Sequence, residues 1–236
     1  MSSDFVPPLH AEFRYHVDYV GEEKNPVLVI DNFLDKAELL IEVAERYCHF
    51  GDPTYLYPGV QALVPQFYAA AMYTHLRHII CDTFNILSEN ITHSKSFFSM
   101  VMVPPASLQP AQSRPHVDSP VRSQFAAIHY LCSADKGGTS LYRHRATGFE
   151  MIDDTRMVEM KKYFLQEEED PHWMGQYING SNKYYEQIAS YDAVFNRIIM
   201  YRGNSLHSGN ISPDFNFDPN PRTGRLTLNT FINSLE

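Results

Sequence analysis

The chain is poor in cysteine, tryptophan and positive charge, and it has no long apolar run. The cysteine usage, the charge balance and the missing apolar run each narrow the function. Its three cysteines, Cys48, Cys81 and Cys132, are odd in number and far apart. They sit in apolar surroundings, so the expectation is buried free thiols in a reducing cytoplasm. Lysine and arginine number 19 against 28 aspartates and glutamates, a net charge of -9. That balance argues against a broad nucleic-acid footprint, which would be basic, and leaves room only for a small basic pocket. No apolar run approaches the roughly 18–20 residues that span a bilayer, so no membrane partner is expected. The first residues carry no basic and apolar leader, so Asn90–Ile91–Thr92 is not read as a glycosylation acceptor.

What is present fits a globular chain. Its 236 residues, 44% of them hydrophobic, fit a single domain, 1–236, with a sizeable core. Residues 1–11 read as a loose terminus. Residues 26–31 (PVLVID) read as a buried strand and 35–49 as a helix, with Asp35 as its N-cap and Leu39, Leu40, Val43 and Ala44 as its apolar stripe. Residues 57–60 (YPGV) read as a turn, 66–87 as a long apolar-rich helix and 94–103 as a strand. A stretch at 150–190 reads as a helical insert with a helix at 153–170 and a loop holding Trp173. It is either a candidate lid or a helix packed outside a sheet. A strand and two helices followed mainly by strands give a mainly β fold with flanking helices (α+β), two packed sheets in a jelly roll supported by the N-terminal helices.

The tripeptide His-x-Asp occurs twice, at His16–Asp18 and His116–Asp118. With 11 histidines in the chain, a lone match carries little weight. The first copy lies in an alternating, solvent-edged stretch with no glycine turn behind it, and serves as an internal decoy. The second is followed by an apolar strand at 123–131 (SQFAAIHYL), a turn at 133–138 (SADKGG) and a return strand at 139–143. A further buried strand at 196–201 (NRIIMY) leads to His207, and 224–233 (GRLTLNTFIN) alternates as a closing strand that begins with Arg225. Two imidazoles and one carboxylate are the facial set that leaves one side of a ferrous ion open. On a strand, His116 and Asp118 would face the same way. A guanidinium such as Arg225 grips a carboxylate bidentately. Arg222, in the turn PNPRTG, is the rival and the better candidate for a solvated charge.

These stretches resemble the 2-oxoglutarate and Fe(II)-dependent oxygenases of the double-stranded β-helix fold, and within them the prolyl-hydroxylase-like branch. PVLVIDNFLDKAEL is similar to that branch's opening strand and helix. HVD at 116–118, AAIHYLCSADKGGTSLY, LHSG at 206–209 and GRLTLNTFIN are similar to its iron motif, hairpin, distal histidine and closing strand. YPGV and NRIIMYRGNSLHSG also resemble an uncharacterised bacterial subgroup. The resemblance implies that His116, Asp118 and His207 bind Fe(II) and act in catalysis. It implies 2-oxoglutarate and O2 as cosubstrates, ascorbate as a candidate addition, and oxidative decarboxylation coupled to oxidation of a substrate C–H bond. Arg225 would hold the remote carboxylate, with Tyr130 and Thr227 beside it; the bland reading of Tyr130 is a core aromatic. The carboxylate at position 118 sets the chain apart from the halogenases of that family, which carry a small residue there. The implied substrate is a small molecule, an amino acid or a peptidyl side chain. No nucleic acid is implied, and no feature specifies an oligomeric state.

Other candidates weigh less. His75 and His78 lie three apart on a helix but lack a third ligand. His129 alternates away from Tyr130 and reads as packing. Arg143, His144 and Arg145 could line a substrate mouth or be solvated charges. Ser119 and Ser205 lack the glycines of a nucleophile elbow. The competing readings are a non-enzymatic or cupin-like metal-binding domain, which has no need of Arg225, and a catalytically retired interaction or regulatory module.

Overall fold

A computed structural model describes residues 6–51, 57–171 and 175–235. Trp173 lies outside the described residues. Strands β1 (Arg14–Val20) and β2 (Asn25–Asp31) form a hairpin, followed by helix α1 (Glu38–Tyr47), β3 (Gly59–Leu63), α2 (Gln66–Phe84) and β4 (Ile91–Val101). A short helix α3 (Pro110–Ser113) precedes β5 (Gln124–Tyr130) and β6 (Thr139–His144). Then come α4 (Asp154–Glu168), β7 (Tyr185–Tyr191), β8 (Ile198–Arg202), β9 (His207–Gly209) and β10 (Leu226–Ser234). The strands make a seven-stranded sheet in the order β1-β2-β8-β5-β10-β4-β3 and a three-stranded sheet in the order β7-β6-β9. Every pairing is antiparallel. The chain is thus mainly β with a few helices.

Alternation along the strands splits the large sheet into two faces. Leu28, Ile30, Phe98, Met100, Phe125, Ala127 and Leu228 point to one face, where Leu40, Val43 and Ala44 of α1 and Tyr68, Leu76, Ile80 and Phe84 of α2 cover them. Each such side chain contributes about 1.5–3 kcal/mol by leaving water, and truncating fully buried Leu76 to alanine should cost about 2–5 kcal/mol. His129 belongs to this face. It is buried, with Nδ1 against the Tyr68 hydroxyl at 3.1 Å and Nε2 against Asn196 Oδ1 at 3.1 Å, so it is packing, as alternation from Tyr130 requires. Val27, Val29, Ala126, Tyr130, Ile199 and Tyr201 point to the opposite face, against Leu141 of β6 and Ile188 and Ala189 of β7. This second face carries the candidate site.

Several boundaries differ from expectation. Helix α1 begins later than residue 35, because Lys36 adopts a left-handed conformation (φ 55°) that a helix cannot pass through. Its N-cap position is Ala37, without a side-chain cap, and Asp35 caps nothing. Helix α2 stops at Phe84 because Asn85 is left-handed, and its N–H closes on the Cys81 carbonyl. YPGV is not only a turn: Gly59 and Val60 pair with Val101 and Met100. A Cβ at Gly59 would stand 1.9 Å from the Met100 carbonyl oxygen. Cys48 and Cys81 are half-buried rather than buried; only Cys132 is enclosed, and all three are free.

The insert holds α4, whose N-cap Asp153 accepts from Arg156 N–H at 3.0 Å. It also holds strand β7, which the sequence reading missed. Met157, Met160 and Phe164 of α4 pack with Tyr142, Ile152, Tyr185 and Leu206. Buried Glu167 meets His144 Nε2 at 3.1 Å and accepts from the Tyr185 hydroxyl at 2.9 Å, partners that a buried carboxylate requires. Among the described residues, no helix is long and apolar enough to cross a membrane.

Candidate metal centre

His116 and Asp118 do not lie on a regular strand. Pro115 and Pro120 flank them, and a residue without an N–H cannot continue a ladder. A single antiparallel bridge forms instead. His116 N–H donates to the His207 carbonyl and His207 N–H to the His116 carbonyl, both at 2.9 Å. Asp118 sits in a bend, its N–H on the Gly203 carbonyl at 2.8 Å. Two backbone clamps, not strand alternation, therefore aim the residues.

One ligand atom from each of His116, Asp118 and His207 lies within 4.8 Å of the others. Among the described residues, this is the one such group of three or more metal-binding side chains. Asp118 Oδ1 is 3.9 Å from His116 Nε2, and Asp118 Oδ2 is 3.5 Å from His207 Nε2. The rings of His116 and His207 are 4.4 Å apart at 50°. His207 is buried, and its Nδ1 lies 2.9 Å from the Ser205 carbonyl. A carbonyl only accepts, so Nδ1 carries the proton and Nε2 keeps its lone pair for the site. Burial lowers His207 to about 4 and raises Asp118 to about 6, with His116 opposing. His116 is lowered to about 4 by desolvation and then by His207. Its side chain is 51% exposed, and that open half tempers the effect of desolvation. Neutral imidazoles beside a carboxylate are the donor set of a hard-to-borderline divalent cation.

Arg225 immediately precedes β10 and is only 5% exposed. Its Nη2 donates to the Gly138 carbonyl at 3.0 Å, while its Nε has no partner. Among the described residues it forms no ion pair. Its charge borders Tyr57, Tyr130, Cys132, Tyr177 and Tyr201, opposing the rise that burial causes in each. Tyr130 donates to Thr139 Oγ1 at 2.8 Å and is pushed up to about 12 by burial. Thr227 is buried opposite it in the ladder, its hydroxyl 3.4 Å from the Ser99 carbonyl. The Gly-Gly turn is a steric necessity: Gly137 has φ 79°, and a Cβ there would meet the Asn210 carbonyl oxygen at 1.8 Å. That turn brings the Gly138 carbonyl to Arg225. Tyr57, Tyr177 and Tyr201 were not anticipated, since nothing in their local pattern separates them from core aromatics.

The remaining candidates fall elsewhere. His16 and Asp18 lie 3.7 Å apart on the exposed strand β1 without a third ligand. Arg222 is on the surface, its Nη2 2.7 Å from Glu45 Oε2. His75 contacts the Pro7 carbonyl at 2.8 Å and exposed His78 lies by Arg77. Arg143 is held by Glu150 at 2.6 Å and by Glu22 and Glu186. His144 is buried under α4, and Arg145 donates to the Asn182 carbonyl. Arg143 and His144 are thus tied into the fold, whereas Arg145 is exposed, as a solvated charge would be. The Ser119 hydroxyl accepts from Val121 N–H in a local turn.

A family model described as a family of unknown function (DUF6445) matches residues 11–232. No curated protein matches the chain in sequence. Among solved structures, the non-heme α-ketoglutarate-dependent carbocyclase SnoK from nogalamycin biosynthesis is similar with a TM-score of 0.51 at 8% identity, covering 90% of this chain and 81% of that one. A prolyl-4-hydroxylase from Pseudomonas putida gives 0.47 at 14% identity, covering 91% and 95%. HygX from Streptomyces hygroscopicus, solved with nickel, 2-oxoglutarate and hygromycin B, gives 0.49 at 9% identity, covering 90% and 84%. The likeness to SnoK is one of fold.

Proposed function

The chain belongs to DUF6445, a family of unknown function, and from its site we propose that it is a 2-oxoglutarate- and Fe(II)-dependent dioxygenase on a double-stranded β-helix. Its reaction would be the hydroxylation of a small-molecule, amino-acid or peptidyl substrate. The observation that carries this reading is Arg225. A buried guanidinium without a counter-charge is costly, and here its Nη2 lies 3.6 Å from where a Cβ at Gly209 would stand, on the strand that carries His207 of the two-histidine, one-carboxylate cluster. A metal-binding domain without a cosubstrate leaves that cation unexplained. A dicarboxylate that also reaches the metal explains both, and the fold shared with an α-ketoglutarate-dependent enzyme supports it.

The residues present fit both groups. His116, Asp118 and His207 would hold Fe(II), which together with 2-oxoglutarate and O2 supplies the oxidising chemistry. Ser205 keeps His207 in the tautomer that offers Nε2. Arg225 would bind the remote carboxylate through the guanidinium edge that Gly138 leaves free, with Thr227 and Tyr130 closing the wall around it. The half-open His116 marks the side from which substrate enters. The test is anaerobic addition of Fe(II) and then 2-oxoglutarate, followed by the weak visible metal-to-ligand charge-transfer band, and succinate measured after admission of air. A protein that develops no band and forms no succinate refutes the reading.

A further inference from the structure

Tyr201 lies near the end of β8 on the same face as Tyr130 and is 1% exposed. Its ring packs against His207, with centroids 4.8 Å apart at 54°. Its hydroxyl is buried and has no hydrogen-bond partner. Burial and then the Asp118 carboxylate hold this phenol well above its ordinary range. Tyr130 adds to the effect and the Arg225 guanidinium opposes it. The hydroxyl is therefore within electrostatic reach of both the metal-binding cluster and the buried cation.

A buried hydroxyl left unpaired is destabilising, whereas phenylalanine would fill the same space without that cost. Tyr142 also carries an unpaired buried hydroxyl, but it lies in the cluster beneath α4, away from Arg225. Among the described residues, Tyr201 alone combines an unsatisfied donor, contact with a metal-binding histidine and proximity to Arg225. The charges of both Asp118 and Arg225 act on its hydroxyl.

We propose that Tyr201 is a binding residue whose phenol O–H donates a hydrogen bond to the metal-side carboxylate of 2-oxoglutarate, completing a three-point grip with the metal and Arg225. This rests on the dioxygenase reading above. It adds a determinant of cosubstrate affinity from a strand that supplies no metal-binding side chain. Tyr201→Phe removes one oxygen and keeps the ring against His207.

The experiment compares wild type and Tyr201→Phe in three measurements: thermal unfolding without ligand, Ni(II) binding, and calorimetric titration of 2-oxoglutarate into the Ni(II)-loaded protein. The expected result is an unchanged or higher unfolding midpoint, unchanged Ni(II) affinity and 2-oxoglutarate affinity weakened about tenfold or more. Equal 2-oxoglutarate affinity in the two proteins overturns the assignment. So does a loss confined to Ni(II) affinity, or a variant that fails to fold, because either makes the hydroxyl structural. A wild-type protein that takes Ni(II) but no 2-oxoglutarate overturns the dioxygenase reading itself, and this inference with it.

Discussion

Replacing Arg225 with methionine should move stability and cosubstrate affinity in opposite directions. The side chain is 5% exposed, faces no carboxylate among the described residues, and has one hydrogen bond, from Nη2 to the Gly138 carbonyl. That carbonyl also accepts Asn210 N–H at 3.0 Å, so it stays satisfied when the guanidinium is gone. The loss on the folded side is therefore no more than one hydrogen bond, about 1 kcal/mol. Against it stands relief of a buried, unpaired charge, whose effective desolvation penalty is several kcal/mol. Arg225→Met should leave the unfolding free energy of the ligand-free protein unchanged, or raise it by about 1–3 kcal/mol. In the Ni(II)-loaded protein, the same change strips the partner from a buried carboxylate. A loss of about 3 kcal/mol, or about 100-fold in 2-oxoglutarate affinity, is expected. Urea denaturation and calorimetry measure the two quantities. A variant that loses several kcal/mol of stability yet binds 2-oxoglutarate as wild type does would make Arg225 a structural residue and refute the reasoning. Arg222→Ala is the control, because its solvent-screened surface pair with Glu45 should contribute little to stability and should not touch 2-oxoglutarate binding.

The two His-x-Asp copies supply a matched pair: His116→Ala should abolish Ni(II) binding, while His16→Ala leaves it unchanged, as read by calorimetry. Gly137→Ala combines a positive φ with a Cβ that would stand 1.8 Å from backbone. It should lower the thermal midpoint and, by displacing Gly138, weaken 2-oxoglutarate binding as well. Glu167→Ala leaves His144 and the Tyr185 hydroxyl without their buried partner and should cost about 3 kcal/mol in urea denaturation. A loss below 1 kcal/mol would mean that α4 is held by its apolar side chains alone.

The strands with an apolar run or a clear alternation are the ones sequence reading located. Residues 123–131 and 224–233 became β5 and β10, because each buries both faces of a central strand, one against α2 and one against the small sheet. What escaped had no such pattern. Strand β3 is five residues long and opens with a glycine that only a close backbone approach explains. Strand β7, YEQIASY, is an edge strand with mostly half-buried side chains, so its apolar residues do not stand out from a loop. The end of α2 and the start of α1 were set by left-handed Asn85 and Lys36, and Lys36 carries no warning of that conformation.

The candidate site was legible as a set of residues but not as a geometry. The order His116, Asp118, Gly-Gly, His207 and Arg225 stands in the chain, yet the expectation that a strand would aim His116 and Asp118 ignored Pro115 and Pro120, and the aiming comes from bonds to His207 and Gly203. The sequence already ranked Arg225 above Arg222, and the fold adds that Arg225 is buried while Arg222 is paired with Glu45 at the surface. The same limit explains why Tyr201 was passed over. A sequence shows that a tyrosine can donate a hydrogen bond. Only a folded chain shows that the bond is left unmade. Unmet bonds at Arg225 Nε and the Tyr201 hydroxyl set the proposed cosubstrate site apart from a well-packed core, because a core of the same shape would be more stable with methionine and phenylalanine in their places.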